Sequence, residues 1–96
     1  MPYHVYILTN ADKNVLYVGV TSDLRKRILQ HRNHAFAGFT ARYNAHKLVH
    51  VEEFQDVHEA IAREKQIKSW SRVRKIELVS VNNPAWQDIM PADEIF

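Results

Sequence analysis

Three side chains stand where packing alone would not put them: Arg27, His31 and Glu64. Read as a helix at about 100° per residue, the stretch after Asp23 carries an apolar stripe through Leu24 and Ile28. Arg27 and His31 lie one turn apart beside that stripe, not opposite it. Arg25, Lys26 and Arg32 face elsewhere and read as solvated. A second helical stretch follows Asp56. There Val57, Ala60, Ile61 and Ile67 mark an apolar stripe, and Glu64 falls in its middle. A carboxylate so placed is costly unless a cation pairs with it. Two readings stand: a structural ion pair with Arg27 or Lys68, or a metal ligand or acid–base group. Arg27 likewise either lies over apolar surface with its head in water or performs a task. His31 is either a core-edge histidine or a participant in proton transfer.

Two phenols join them. Tyr3–Thr9 and Val15–Val20 are rich in β-branched and aromatic residues, and Asn10–Asn14 between them reads as a turn. An even-numbered turn would pair Tyr6 with Tyr17 and put both on one face of a hairpin, together with Gly19. A glycine inside a strand weakens it unless something must approach the backbone. Phenols, a guanidinium, an imidazole and a hard oxygen ligand together suit phosphate chemistry. One carboxylate suits Mg²⁺, which keeps most of its waters and takes phosphate oxygens besides. A guanidinium can neutralise charge growing on phosphorus-bound oxygens. A phenol or histidine can help take a proton from water.

The elements that must position these groups follow in order. Thr21 and Ser22 offer an N-cap for a helix from Asp23 to His34. Ala35–Tyr43, containing Gly38, reads as a loop, and Lys47–Phe54 as a third strand. Asp56 can cap a helix from Val57 to Trp70. A shorter helix over Ser71–Val81 ends before Asn82, Asn83 and Pro84. The order β-β-α-β-α-α predicts an α+β fold, a small antiparallel sheet with helices packed on it.

Composition sets the outer bounds. The chain has 96 residues, enough for one core, and 46% hydrophobic against 25% charged residues, the balance of a folded domain. Its longest apolar runs, such as Val15–Val18, are far too short to span a membrane, and the N-terminus does not read as a signal peptide. Cysteine is absent, which excludes disulfides, thiolate zinc sites and a cysteine nucleophile and fits a cytoplasmic location. The net charge of +2 hides an asymmetry. Residues 1–50 hold seven Lys/Arg against two Asp/Glu, and residues 51–96 hold six against nine. Two basic clusters result, at Arg25, Lys26, Arg27 and Arg32, and between Arg63 and Lys75. They are either solvated helix faces or the footprint of a phosphate-rich partner.

His4-Val5-Tyr6, Tyr17-Val18-Gly19 and Thr21–His31 with Arg27 resemble the motifs of the GIY-YIG nuclease family. Ala60–Trp70 is similar to that family's metal-glutamate helix, and Asn83-Pro84-Ala85-Trp86 to the end of its small stand-alone bacterial members. The resemblance covers residues 3–90, and its order and spacing carry more than any one motif. It implies a three-stranded antiparallel sheet flanked by helices, one domain over residues 1–96 with a short acidic tail at 91–96. It also implies a Mg²⁺- or Mn²⁺-dependent phosphodiesterase that cuts DNA in repair or recombination. By position, Tyr6 and Tyr17 would be the motif tyrosines, one of them activating or orienting the attacking water. Gly19 would leave room for substrate, Arg27 would hold the scissile phosphate, and Glu64 would ligate the metal. His31 matches a histidine often found near the site. Tyr43, Asn83, Lys26, Lys65 and Lys68 are supporting or substrate-binding candidates.

The sequence departs from the pattern at His4, where the motif has Gly, and at Val18, where it has Ile. His4 would share the Tyr6 face. The implied partner is DNA, with RNA left open, no membrane, and a protein partner or homodimer as a means of targeting. Against the endonuclease stand a nucleic-acid-binding repair accessory with weak or no catalysis and an interaction domain in which Glu64 and Arg27 merely pair. Other chemistries have little support. Only Gly19 and Gly38 are present, so there is no glycine-rich phosphate loop. The pairs His31/His34 and His46/His50 lack an evident third zinc ligand.

Overall fold

The computed structural model of the chain describes residues 2–33 and 44–90. The predicted loop around Gly38, the candidate Tyr43 and the acidic tail lie outside the described residues. The element order is β1 (Tyr3–Thr9), β2 (Leu16–Thr21), α1 (Leu24–Arg32), β3 (Lys47–Phe54), α2 (Val57–Ser69) and α3 (Arg72–Asn82). This is the expected α+β fold. The three strands form one antiparallel sheet in the order β2-β1-β3, so β2 and β3 are its outer strands.

Local chemistry sets the helix ends. Asp56 caps α2, its carboxylate accepting from the His58 amide at 2.9 Å. Ser71 caps α3 through the Arg74 amide at 3.3 Å. The cap of α1 is Asp23, not Thr21 or Ser22: its carboxylate accepts from the Lys26 amide at 3.2 Å. Thr21 is still part of β2, and its hydroxyl accepts from the Asp23 amide at 3.0 Å. Asn33 ends α1 before the predicted His34.

Strand alternation divides the core in two. Val5 and Ile7 of β1 and Val18 of β2 face α2 and α3, where Ala60, Ile67, Val79 and Trp86 close one cluster. Tyr6 and Leu8 face α1, where Ile28 closes the other with Leu48 and Ala45. The hairpin register differs from the expected one by two residues: Tyr6 lies opposite Gly19, and Leu8 opposite Tyr17. The connection is longer than a minimal turn. Asn10 and Asn14 bond to one another at 2.6 Å, Lys13 takes a left-handed φ of 58°, and pairing begins only at Thr9 and Leu16. A shift of two keeps every side chain on its face, so Tyr6, Tyr17 and Gly19 still share one.

Arg32, expected in solvent, instead makes a two-pronged ion pair with Asp88. The distances are 2.9 and 2.8 Å, with the arginine side chain only 15% exposed. Its Nε donates to the His46 carbonyl at 2.9 Å, and Asp88 also accepts from the Leu48 and Met90 amides. This clasp ties the end of α1 to the start of β3 and to the segment after α3. Arg32→Ala would leave a half-buried carboxylate without its cation. The expected cost is about 2 kcal/mol of unfolding free energy, measured by urea denaturation.

Candidate active site

The site is built around a gap in the outer strand. Tyr6, on the central strand, lies opposite Gly19 of β2. A Cβ at position 19 would overlap Cζ and the hydroxyl oxygen of Tyr6 and come within 2.9 Å of Cε1. The space that Gly19 leaves is therefore filled by the Tyr6 ring, not left for substrate. Lying across Gly19, the phenol meets α1. Its oxygen is 3.0 Å from Nε2 of His31, and Arg27, one turn earlier on the same helix, hydrogen bonds to it. The ring of Tyr17 completes the group. Its centroid lies 6.4 Å from that of Tyr6 and 5.3 Å from that of His31, edge-on to the latter.

Burial sets the protonation states. Tyr6 is 0% exposed, and burial, with Tyr17 second, pushes its phenol well above the usual range. Arg27 pulls the other way, and the charge of Glu64 adds to the rise. Tyr6 therefore stays protonated. Burial and the neighbouring Arg27 charge hold the His31 imidazole below its ordinary value, so it is neutral at physiological pH. The phenol oxygen accepts from Arg27 and shares a hydrogen bond with Nε2 of His31, whose direction is set by the imidazole tautomer. Such a phenol is a poor base for water. Of the two tyrosines, half-buried Tyr17 is the one with exposed surface.

Glu64 approaches from α2, the helix on the other face of the sheet, yet its charge is felt at the Tyr6 phenol. Its side chain is 14% exposed and pairs with Nζ of Lys68 at 3.0 Å. Of the two partners the sequence allowed, Lys68 is the one it meets. The lysine side chain is 52% exposed. Among the described residues no group of three or more His, Asp or Glu side chains could cage a metal ion. A single carboxylate is a donor set that fits Mg²⁺ or Mn²⁺, ions that draw their other ligands from water and phosphate.

The remaining candidates are scattered. Lys26 lines a concavity of ≈ 340 Å³ with Arg27, Thr21, Ser22, Asp23 and Gln30, directly beside the cluster. Lys65 is exposed on α2. His4 shares the Tyr6 face as expected and pairs with Glu53 at 3.3 Å. Asn83 is not in the site. It caps α3, its amide donating to the Val49 and Gln87 carbonyls and its oxygen accepting from the Gln87 amide. Those bonds hold it at β3, across the sheet from β2.

The sequence reading missed a second ionic cluster on the α2 side of β3. Glu52 accepts from Arg63 at 2.8 Å and meets His50 at 2.7 Å. Burial would raise the Glu52 carboxyl, but the bonds from Arg63 and His50 outweigh it and hold it below the usual range. Alternation along β3 put His50 and Glu52 on one face, but nothing in the sequence paired them with α2.

Comparison with known proteins follows the same outline. Residues 2–77 match the family model described as the GIY-YIG catalytic domain. The chain is 37% identical to UPF0213 protein SSP2268 of Staphylococcus saprophyticus over 78 residues, 81% of this chain and 94% of that one. It is 42% identical to UPF0213 protein CPE1444 of Clostridium perfringens over 77 residues, 80% of this chain and 82% of that one. The solution NMR structure of UPF0213 protein BH0048 from Bacillus halodurans superimposes with a TM-score of 0.59 at 32% identity. That match covers 92% of this chain and 93% of that one.

Two outcomes are expected from this geometry. Gly19→Ala should destabilise the fold by about 2 kcal/mol, because the buried Tyr6 ring has nowhere to move; urea denaturation measures it. His31 gives a pH dependence of known sign. Unfolded, its imidazole takes up a proton near the ordinary value of 6.5, whereas folded it does so only at lower pH. The unfolded state then binds more protons, so stability falls as pH falls through that window. His31→Gln should flatten this part of the profile, read from urea midpoints between about pH 7.5 and about pH 5.

Proposed function

This chain belongs to the GIY-YIG family, a family of nucleases, and on that premise we propose that it is a metal-dependent endonuclease. Its substrate on this reading is structured, damaged or single-stranded DNA, and its place is repair or recombination in the cytoplasm. We take residues 1–96 as one such domain with an acidic tail at 91–96. The observation that carries the reading is the meeting of Tyr6, Tyr17, Arg27 and His31 at the outer strand within electrostatic reach of Glu64.

Each group has a task its surroundings support. Glu64 would hold Mg²⁺ or Mn²⁺, which when bound supplies a Lewis acid for the phosphate oxygens. Arg27 neutralises the charge that grows on those oxygens during attack. Tyr17, the phenol with exposed surface, orients the attacking water. Tyr6 and His31 are positioning residues: the buried phenol aims the Arg27 guanidinium, and the neutral imidazole supports the Tyr17 ring at its edge. Lys68 neutralises Glu64 and lies beside Tyr17, where it can turn to a phosphate.

One observation favours a second reading. Lys68 already satisfies Glu64 at 3.0 Å, as it would in a nucleic-acid-binding module that does no chemistry. A single substitution separates the two. Labelled single strands, nicks, flaps, forks, plain duplex and RNA are incubated with Mg²⁺ or Mn²⁺, with EDTA as control. The nuclease reading expects metal-dependent cutting, reduced about 100-fold or more in Glu64→Gln. The fold should change by no more than about 1 kcal/mol, because Gln keeps the volume of the side chain and the Lys68 left behind is half-exposed to water. Absence of cutting by the wild type, with binding unchanged in Glu64→Gln, would replace it with the accessory reading.

A further inference from the structure

We propose that the open edge of β2 carries a second phosphate-binding subsite, formed by Lys75 and Arg72 of α3 beside Lys68. It holds the backbone of the nucleic-acid strand next to the point of cutting. The nature of this ligand rests on the nuclease reading above.

A concavity of ≈ 280 Å³ runs along that edge, lined by Leu16, Tyr17, Val18, Lys68 and Lys75. Tyr17 belongs both to this groove and to the cluster with His31 and Tyr6. A strand with one phosphate at the cluster therefore passes directly into the groove. Lys75 and Arg72 stand three residues apart on α3, which makes them neighbours on one side of the helix. Arg72 extends the line to the hairpin turn, where its Nη2 donates to the Lys13 carbonyl at 3.3 Å.

Part of the basic surface is already engaged. Arg32 is neutralised by Asp88 and Arg63 by Glu52, and Arg74 lies 4.2 Å over the Trp70 ring. Among the described residues neither Lys75 nor Arg72 has a carboxylate partner. Lys68 cancels the negative charge of Glu64. The groove thus presents uncompensated positive charge on a concave wall, which concentrates anions there. A row of cations along an outer strand complements a row of phosphates. The concavity at Lys26 and Arg27 marks the other side of the cluster, so the strand's path follows β2 from the start of α1 to the hairpin turn.

The test uses the full chain and a labelled single-stranded DNA of about ten nucleotides, in EDTA so that nothing is cut. Binding is measured against salt for the wild type, Lys75→Gln, Arg72→Gln and the control Lys47→Gln, which lies on the opposite outer strand. Circular dichroism checks that each variant is folded. Lys75→Gln and Arg72→Gln should each reduce the slope of log K against log salt by about 0.7, while Lys47→Gln keeps the wild-type slope. A wild-type slope in Lys75→Gln overturns the subsite, even where the protein cuts DNA in Mg²⁺. Reduced slopes in a protein that cuts nothing support the subsite and remove the nuclease reading alone.

Discussion

The Tyr6 ring lies across the outer strand because residue 19 has no side chain, and the rest of the site depends on that contact. A tyrosine on the central strand would ordinarily be walled off by the row of side chains on β2. The gap at Gly19 lets the phenol reach α1, where one helical turn separates Arg27 from His31. The glycine is thus a packing device for the protein's own aromatic ring. The conformational cost of glycine in a strand is offset by an interaction that ties β1 to α1.

Around that contact, burial decides who holds which proton. Tyr6 keeps its proton because it is buried, and His31 stays neutral for the same reason and because Arg27 is near. The two effects fit together: a protonated phenol and a neutral imidazole share one hydrogen bond, and the guanidinium donates to the phenol oxygen. Among the described residues Arg27 is the one cation on the Tyr6 phenol. Glu64 stands at the border of the cluster with a half-exposed lysine as counter-ion.

Much of this was legible in the sequence, for identifiable reasons. Period-two and helical patterning gave the element order and the shared face of Tyr6, Tyr17 and Gly19. The misplaced Glu64 announced itself in the middle of an apolar stripe. The exact pairing was not legible, because the length of the hairpin connection depends on the Asn10–Asn14 bonds and the left-handed Lys13. Nor were the long-range ion pairs. Arg32 looked solvated by its helix face, and only the folded chain brings Asp88 to it. Asn83 carried a motif-like position, yet its amide is spent on the backbone of β3 and the following turn.

On the proposed function a divalent ion meets the protein at this cluster and not at another carboxylate. Paramagnetic broadening of amide signals during a Mn²⁺ titration of the ¹⁵N-labelled chain tests it most directly. The account predicts that the first signals lost are those of Glu64 and its neighbours on α2, together with Tyr17 on β2. Broadening that begins at Asp12, Asp56 or Asp88 and spares Glu64 would contradict it.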